Sequence, residues 1–144
     1  MSYTPYEMRW FTKVKQILTA GNTAFCETME DQGREPVFAY CFTRQLPGDD
    51  AGAFHGGDSW YTFETLNRCW RPFTGIDYEL ALRMADYFAN FVRSGDPNGK
   101  DLPIWTGYSR AAPLVMEWGE QVGMITNIVP EALRERIDSS LGCM

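Results

Sequence analysis

The side chain in this sequence best suited to proton transfer is that of His55, the only histidine among 144 residues. It lies in the glycine-rich segment 52–61, GAFHGGDSWY. A histidine gains and loses a proton near neutral pH, so it can activate a nucleophile as a base and protonate a leaving group as an acid. A lone histidine in a glycine-flanked loop is more often solvated or structural. A catalytic role therefore requires partners elsewhere in the chain.

The sequence offers His55 no convincing nucleophile. A serine elbow needs the pattern Gly-x-Ser-x-Gly, which the chain does not contain. The nearest segment is GDSWY, where a tyrosine occupies the place of the second glycine and Ser59 is too close to His55 to face it from an opposite loop. The segment His-Gly-Gly superficially resembles an oxyanion-loop motif. Its third glycine is replaced by Asp58, so we interpret it as coincidental.

No motif in the sequence indicates a metal site or a cofactor. The loop around the histidine carries three carboxylates, Asp49, Asp50 and Asp58. They lack the regular spacing of a cation site, so we expect a solvated acidic loop. The four cysteines, at positions 26, 41, 69 and 143, include no Cys-x-x-Cys pair and are expected to be buried free thiols in a reducing compartment.

Composition excludes several classes of protein. The net charge of −6 and the absence of a basic run argue against nucleic-acid binding. Charged residues interrupt the apolar positions of residues 1–20, so we expect neither a secretory signal nor a membrane span, and a cytoplasmic location by default. The length suits one domain. The aromatic content of 15% is high and suggests a piece of a larger fold, because large rings need many packing partners.

Periodicity predicts an α/β arrangement. Apolar residues recur with helical spacing over 5–18, Gly21 interrupts them, and a second helix is expected to carry Phe25 and Met29 inward until Gly33. The segment 37–43 is apolar on both faces, as in a buried strand of a parallel sheet. A loop rich in turn-forming residues then leads to the histidine.

The second half of the chain continues this pattern. Thr74 and Asp77 form a predicted capping box, followed by a helix with Leu80, Met84, Phe88 and Phe91 on one face until Gly95. Two short strands, which would form a hairpin, are predicted at 114–118 and 121–125, and a last helix at 130–137. The predicted fold class is therefore α/β, with one buried strand near 36–43 and a hairpin near 114–125 packed with several helices.

Several segments, in the right order and spacing, resemble the carboxyl-terminal part of bacterial type B carboxylesterases, the branch that includes cholinesterases and para-nitrobenzyl esterases. The resemblance runs from about residue 25 to 118. It is carried by PVFAYCF (36–42), GAFHGGD (52–58), YTFETL (61–66), WRPFT (70–74), ADYFANF (85–91) with SGDPN (94–98), and LPIW (102–105). The sequence departs at Asp58, where the family usually has Glu, and at Glu64, where a glycine is common.

The resemblance implies that residues 1–144 form one carboxyl-terminal segment of an α/β-hydrolase domain. It implies that His55 is the histidine of a serine-histidine-acid triad that hydrolyses small-molecule esters. The family's serine, oxyanion loop and acidic triad member lie upstream of the matched region. The chain alone is therefore expected to be inactive.

Two alternatives remain open. The chain could be one subunit of a split esterase, with the serine and the acid on another polypeptide, or a non-catalytic cholinesterase-like interaction module. A sheet without its upstream strands would also expose an edge, so self-association through that edge is expected. Three aromatic residues near the histidine are candidates either for a pocket or for the core, Trp60, Phe63 and Trp70.

Overall fold

The computed structural model describes the backbone of residues 5–34 and 36–141, and the side chains of residues 18–34 and 36–139. Its helices are α1 (Pro5–Asp31), α2 (Ser59–Thr62), α3 (Gly75–Ser94) and α4 (Glu131–Leu141). Its strands are β1 (Tyr40–Phe42), β2 (Leu114–Trp118) and β3 (Val122–Thr126). A single turn of 3₁₀-helix, Leu66–Arg68, lies between α2 and α3.

Within the described residues the strands form one sheet in the order β1-β2-β3. β1 runs parallel to β2, with Tyr40 opposite Met116, and β2 pairs with β3 in an antiparallel hairpin. The predicted hairpin near 114–125 is confirmed. The parallel pair requires a long crossover, and the 71 residues between β1 and β2 supply it with α2, α3 and the loop that carries His55.

The predicted strand near 36–43 is present but shorter and less buried than expected. β1 contains three residues, and all of them are partly or largely exposed. The reason is its position, because β2 covers only one of its two edges. An apolar run that reads as a central strand therefore lies at the edge of the sheet in this chain.

The prediction of two amino-terminal helices is wrong. α1 continues through Gly21 without a break, because one exposed glycine costs a helix only about 1 kcal/mol and the flanking turns outweigh it. Phe25 is also not inward, being 58% exposed, whereas Thr23, Cys26 and Glu27 are buried. The predicted apolar positions from 5 to 17 lie outside the described side chains. The predicted stop is confirmed, since Gly33 has a φ of +62°.

α3 has the predicted ends, but its predicted apolar face is buried only in the first half, since Phe91 is 46% exposed. Thr74 and Asp77 form the capping box, in which the Thr74 amide donates to Asp77 Oδ2 at 2.9 Å. Leu80 and Met84 are buried, and Gly95 ends the helix in the left-handed conformation with a φ of +77°. The final helix is also confirmed, as α4.

The core explains the high aromatic content. α3 and the sheet enclose four buried rings, those of Tyr61, Tyr87, Trp105 and Trp118. Trp105 and Trp118 meet edge to face at 5.4 Å between ring centroids, and Tyr87 contacts Trp118 in the same way at 5.1 Å. Such pairs add about 1 kcal/mol each beyond the area they bury.

α1 and α4 pack against each other through a buried carboxylate. Glu27 is 1% exposed, and Arg134 donates to its two oxygens at 2.7 and 2.6 Å. Arg110 lies 3.5 Å from the same carboxylate. This ion cluster links α1 to α4 and to the loop before β2.

Among the described residues, no helix combines the length and the apolar character that spanning a membrane requires.

Candidate active site

The site begins where β1 ends. The amides of Thr43 and Arg44 both donate to the carbonyl of Trp118, at 2.8 and 3.0 Å, so the chain leaves the sheet in a defined direction. Arg44 Nε then donates to Asp77 Oδ1 at 2.8 Å. The loop that carries His55 therefore starts from a point fixed both to β2 and to the first turn of α3.

His55 occupies the tip of a tight turn formed by residues 54–57. The amide of Gly57 donates to the carbonyl of Phe54 at 3.0 Å, and Gly56 has a φ of +85°. A hydrogen bond across four residues with a positive φ at the third defines a type II turn, which favours glycine at that position. The second residue of the turn, His55, is exposed. Of the two glycines after the histidine, Gly56 is thus the one that the backbone of the turn favours.

The second glycine, Gly57, determines how closely the turn packs against Leu46. Gly57 is buried, and a Cβ added to it would lie 2.6 Å from Leu46 Cδ1 and 3.1 Å from the carbonyl oxygen of Phe54. Leu46 is itself 2% exposed. The turn therefore rests directly on the start of its own loop, with no room for a side chain between them.

Two of the three carboxylates near the histidine have specific partners, which corrects the expectation of a solvated acidic loop. Arg71 binds Asp49 in a bidentate ion pair at 2.7 and 2.8 Å, and the side chain of Asp49 is 7% exposed. Asp58 accepts a hydrogen bond from the hydroxyl of Tyr40 at 2.7 Å. Asp50 is exposed. Two acidic residues that are close in sequence therefore bind different partners, Arg71 and Tyr40.

A buried network under the turn was not foreseen from the sequence. Asp77 is fully buried and accepts hydrogen bonds from Arg44 and from the hydroxyl of Tyr61, each at 2.8 Å. Burial alone would raise the pKa of Asp77, but these bonds and the one from Thr74 outweigh it and hold that pKa below its usual value. The capping box was the only part of this network visible in the sequence.

The aromatic residues considered for a pocket differ in their surroundings. Trp60 is half-buried and contacts Phe54 and Phe73, so it belongs to the core. Phe63 and Trp70 are 73% and 70% exposed, so neither of them belongs to the core, and neither lines the cavity beside β1. Trp70 lies against Arg71, which is 4.9 Å from its ring centroid.

Glu64, flagged because a glycine is common at that position in the family, has a φ of +50°. It follows the short helix α2, where the chain must turn in the left-handed region. A residue with a Cβ is strained there. The departure from the family pattern therefore has a local structural cost.

An open cavity of about 850 Å³ lies beside β1, and His55 is part of its wall. The other walls come from α1 with Phe25 and Cys26, from β1 with Tyr40 and Phe42, and from the His55 loop. Among the described residues His55 has no hydrogen-bonded carboxylate or serine. The structure thus presents the histidine at the end of a strand, facing an apolar cavity, without the other two members of a triad in the described part of the chain.

The three-stranded sheet with its helices corresponds to part of the α/β fold of solved esterases. The chain superposes on an esterase of Clostridium hathewayi with a TM-score of 0.62 and 22% identity, over 76% of this chain and 22% of that protein. A thermophilic para-nitrobenzyl esterase superposes with a TM-score of 0.58 and 18% identity, over 71% of this chain and 22% of that protein.

The model of the carboxylesterase family matches residues 11–134, so the chain belongs to that family. Carboxylesterase 4A of Bos taurus is 34% identical over 85 residues, which are 52% of this chain and 14% of that protein. Phenmedipham hydrolase of Pseudarthrobacter oxydans is 34% identical over 97 residues, 61% of this chain and 20% of that protein. The chain therefore spans about a fifth or less of the length of these two curated relatives.

Proposed function

We propose that the chain supplies the histidine of a serine-histidine-acid triad for hydrolysis of small-molecule carboxylic esters, and that the serine and the acid come from polypeptide outside it. Membership of the carboxylesterase family supports ester hydrolysis in general. The observation that carries the role of His55 is its exposure at the tip of a glycine turn after β1, on the wall of an open cavity.

In this proposal the remainder of the enzyme covers the cavity and the free edge of β1. His55 then takes the proton of the serine during attack on the ester and returns it to the leaving alcohol, while a carboxylate orients the imidazole. The type II turn contributes by presenting His55 at the exposed tip of its loop.

A fusion protein tests the assignment. Residues 1–144 replace the matching region of Phenmedipham hydrolase, and hydrolysis of para-nitrophenyl esters is measured together with labelling by a fluorophosphonate. We expect an active fusion, and we expect His55→Gln to reduce kcat about a thousandfold or more. Arg110→Lys is the control, because Arg110 lies outside the His55 loop and binds α1. An active fusion whose His55→Gln variant keeps its kcat would contradict the proposal.

The isolated chain provides a second test. We expect no ester turnover above that of free imidazole, and no labelling by the fluorophosphonate. Labelling at Ser59, the exposed serine closest to the histidine in sequence, would show that the chain carries its own nucleophile. Labelling at that position would also remove the need for a second polypeptide.

We further propose that the isolated chain self-associates through the free edge of β1. Phe25 is 58% exposed on the wall of the cavity, and the edge beside it lacks a neighbouring strand among the described residues. Sedimentation velocity across the micromolar range should show dimers or larger species, and Phe25→Glu should weaken them. Val92→Glu is the control, because Val92 is 83% exposed on α3 and is not one of the residues that line the cavity. A strictly monomeric chain would contradict this proposal.

A further inference from the structure

We propose that Arg71 and Asp49 form a clamp that positions His55, which makes Arg71 a positioning residue of the esterase site. This inference rests on the proposed function. It concerns a residue that does not contact the reacting atoms and acts on the histidine through the loop that carries it.

The first observation is the geometry of the ion pair. Arg71 Nη1 donates to Asp49 Oδ1 at 2.7 Å and Nη2 donates to Asp49 Oδ2 at 2.8 Å. Nη1 also donates to the carbonyl of Pro47 at 2.8 Å. The two side chains are 4% and 7% exposed. A buried bidentate pair of this kind fixes orientation as well as distance, because two parallel hydrogen bonds prevent rotation.

The second observation is that the same guanidinium contacts the residue before the histidine. Arg71 Cζ lies 5.4 Å from the ring centroid of Phe54 and 4.9 Å from that of Trp70. Phe54 is the first residue of the type II turn, and its carbonyl accepts the hydrogen bond that closes the turn. A displacement of Arg71 is therefore passed to the backbone that sets the direction of His55.

The third observation is that the loop approaches residues 70–72 closely at Gly48. Gly48 has a φ of +102°, and a Cβ added to it would lie 3.0 Å from atoms of both Trp70 and Pro72. Gly52 also has a positive φ, of +67°. Glycines allow the loop many alternative conformations, so its observed path depends on tertiary contacts in the folded state. The ion pair with Arg71 ties this loop to the segment 70–72.

The carboxylate of Asp49 also accepts a hydrogen bond from within its own loop. The amide of Ala51 donates to Asp49 Oδ1 at 3.1 Å, the oxygen that also receives Arg71 Nη1. The carboxylate thus organises its own turn while it binds the arginine. Loss of the arginine releases both the loop and the ring of Phe54, whereas a general packing defect elsewhere would affect neither specifically.

The isolated chain allows a direct test, because its single histidine produces one set of imidazole signals in a spectrum of histidine-labelled protein. Arg71→Lys keeps the positive charge but loses the bidentate hydrogen bonds to Asp49 and the stacking on Phe54. We expect the His55 signal to shift and broaden, and amide exchange in residues 47–57 to increase. Asp49→Asn, which preserves side-chain shape, should produce the same changes if the lysine variant folds poorly. Arg110→Lys, which breaks the bidentate pair with Asp31, is the control and should leave the His55 signal unchanged.

The active fusion provides the kinetic test. We expect Arg71→Lys to lower kcat about tenfold to a hundredfold with KM nearly unchanged, since a small displacement of a catalytic group has effects of that size. An unchanged His55 signal, or an unchanged kcat in a fusion that His55→Gln inactivates, would overturn the clamp and leave the esterase assignment intact. Retained activity in the His55→Gln fusion would instead overturn the proposed function.

Discussion

Tyr40 and Asp58 join the two ends of the segment that presents His55. The hydroxyl of Tyr40, at the start of β1, donates to Asp58 Oδ2 across 2.7 Å, three residues after the histidine. Partial burial of the Tyr40 hydroxyl, and then the neighbouring carboxylate, raise its pKa above the usual value. The bond therefore persists through the neutral range, and it links the strand directly to the turn.

We expect Tyr40→Phe to reduce the free energy of unfolding by about 0.5–1.5 kcal/mol, because Asp58 loses its donor at a position that water reaches. A pKa raised by folding means that the tyrosine stabilises the fold fully below its unfolded pKa, about 10, and less as the pH rises above it. The difference between wild type and variant should therefore shrink in alkaline solution. Urea denaturation at several pH values measures it, and Tyr78→Phe, on the exposed face of α3, is the control. A difference that grows with pH would contradict the expectation.

Asp77 accepts hydrogen bonds from Arg44, Tyr61 and Thr74 in a buried position, so its charge should matter for stability. Asp77→Asn leaves Arg44 without its carboxylate in a buried position, and we expect a loss of about 3 kcal/mol near neutral pH. Because folding lowers the pKa of Asp77, its contribution is present above the unfolded pKa of about 3.9 and is lost as the pH falls through the lower native value. Denaturation of both proteins between neutral and strongly acidic pH measures this. Asp50→Asn, at an exposed carboxylate, should change stability by less than about 0.5 kcal/mol.

Gly57→Ala tests how tightly the turn rests on Leu46. The added methyl group would meet Leu46 Cδ1 at 2.6 Å and a backbone carbonyl at 3.1 Å, so the turn must move outward. We expect a loss of about 1–3 kcal/mol and a shifted His55 imidazole signal. Gly75→Ala is a matched substitution with no atom within 4 Å of the new methyl group, at the start of α3. It should be neutral or slightly stabilising, and an equal loss in both variants would exclude the proposed clash.

Glu64→Gly should stabilise the protein, which is unusual for a substitution that removes a side chain. Glu64 is exposed and has a φ of +50°, a conformation that costs a residue with a Cβ about 1–2 kcal/mol. Glycine removes this strain but increases the freedom of the unfolded chain, so we expect a net gain of up to about 1 kcal/mol. Thermal denaturation measures it. The same change at Glu79, inside α3, should instead destabilise by about 1 kcal/mol, and a loss at both positions would refute the account.

Glu27→Gln tests the attachment of α4. The hydrogen bonds from Arg134, more than any other contact, hold the pKa of Glu27 below its usual value. Arg134 is 37% exposed on its side chain, so we expect a loss of only about 1–3 kcal/mol, present above the unfolded pKa of about 4.3 and vanishing in acid. Faster amide exchange confined to residues 131–141 would identify α4 as the affected element. Glu135→Gln, on the exposed face of α4, is the control, and uniform acceleration across the chain would contradict a local role.

Much of this protein was determined by the sequence itself. α3 begins and ends as predicted because a capping box and a left-handed glycine are local features, each complete within a few residues. The hairpin of β2 and β3 and the carboxylesterase family were recognised for a similar reason, since each depends on segments whose order and spacing are visible in one dimension. The position of His55 in a glycine turn after a strand belongs to the same category.

Only the tertiary structure decided which distant residues meet. The pairing of Asp49 with Arg71, 22 residues away, and of Glu27 with Arg134, 107 residues away, leaves no local signal, because a charged residue reads the same in the sequence whether it is solvated or paired. The continuous α1 and the exposed Phe25 follow the same logic, since long-range packing and ion pairs outweighed a glycine and an apolar pattern. The sequence of β1 is typical of a buried strand, but the strand is partly exposed. Burial depends on neighbours at both edges, and the described chain supplies only one of them.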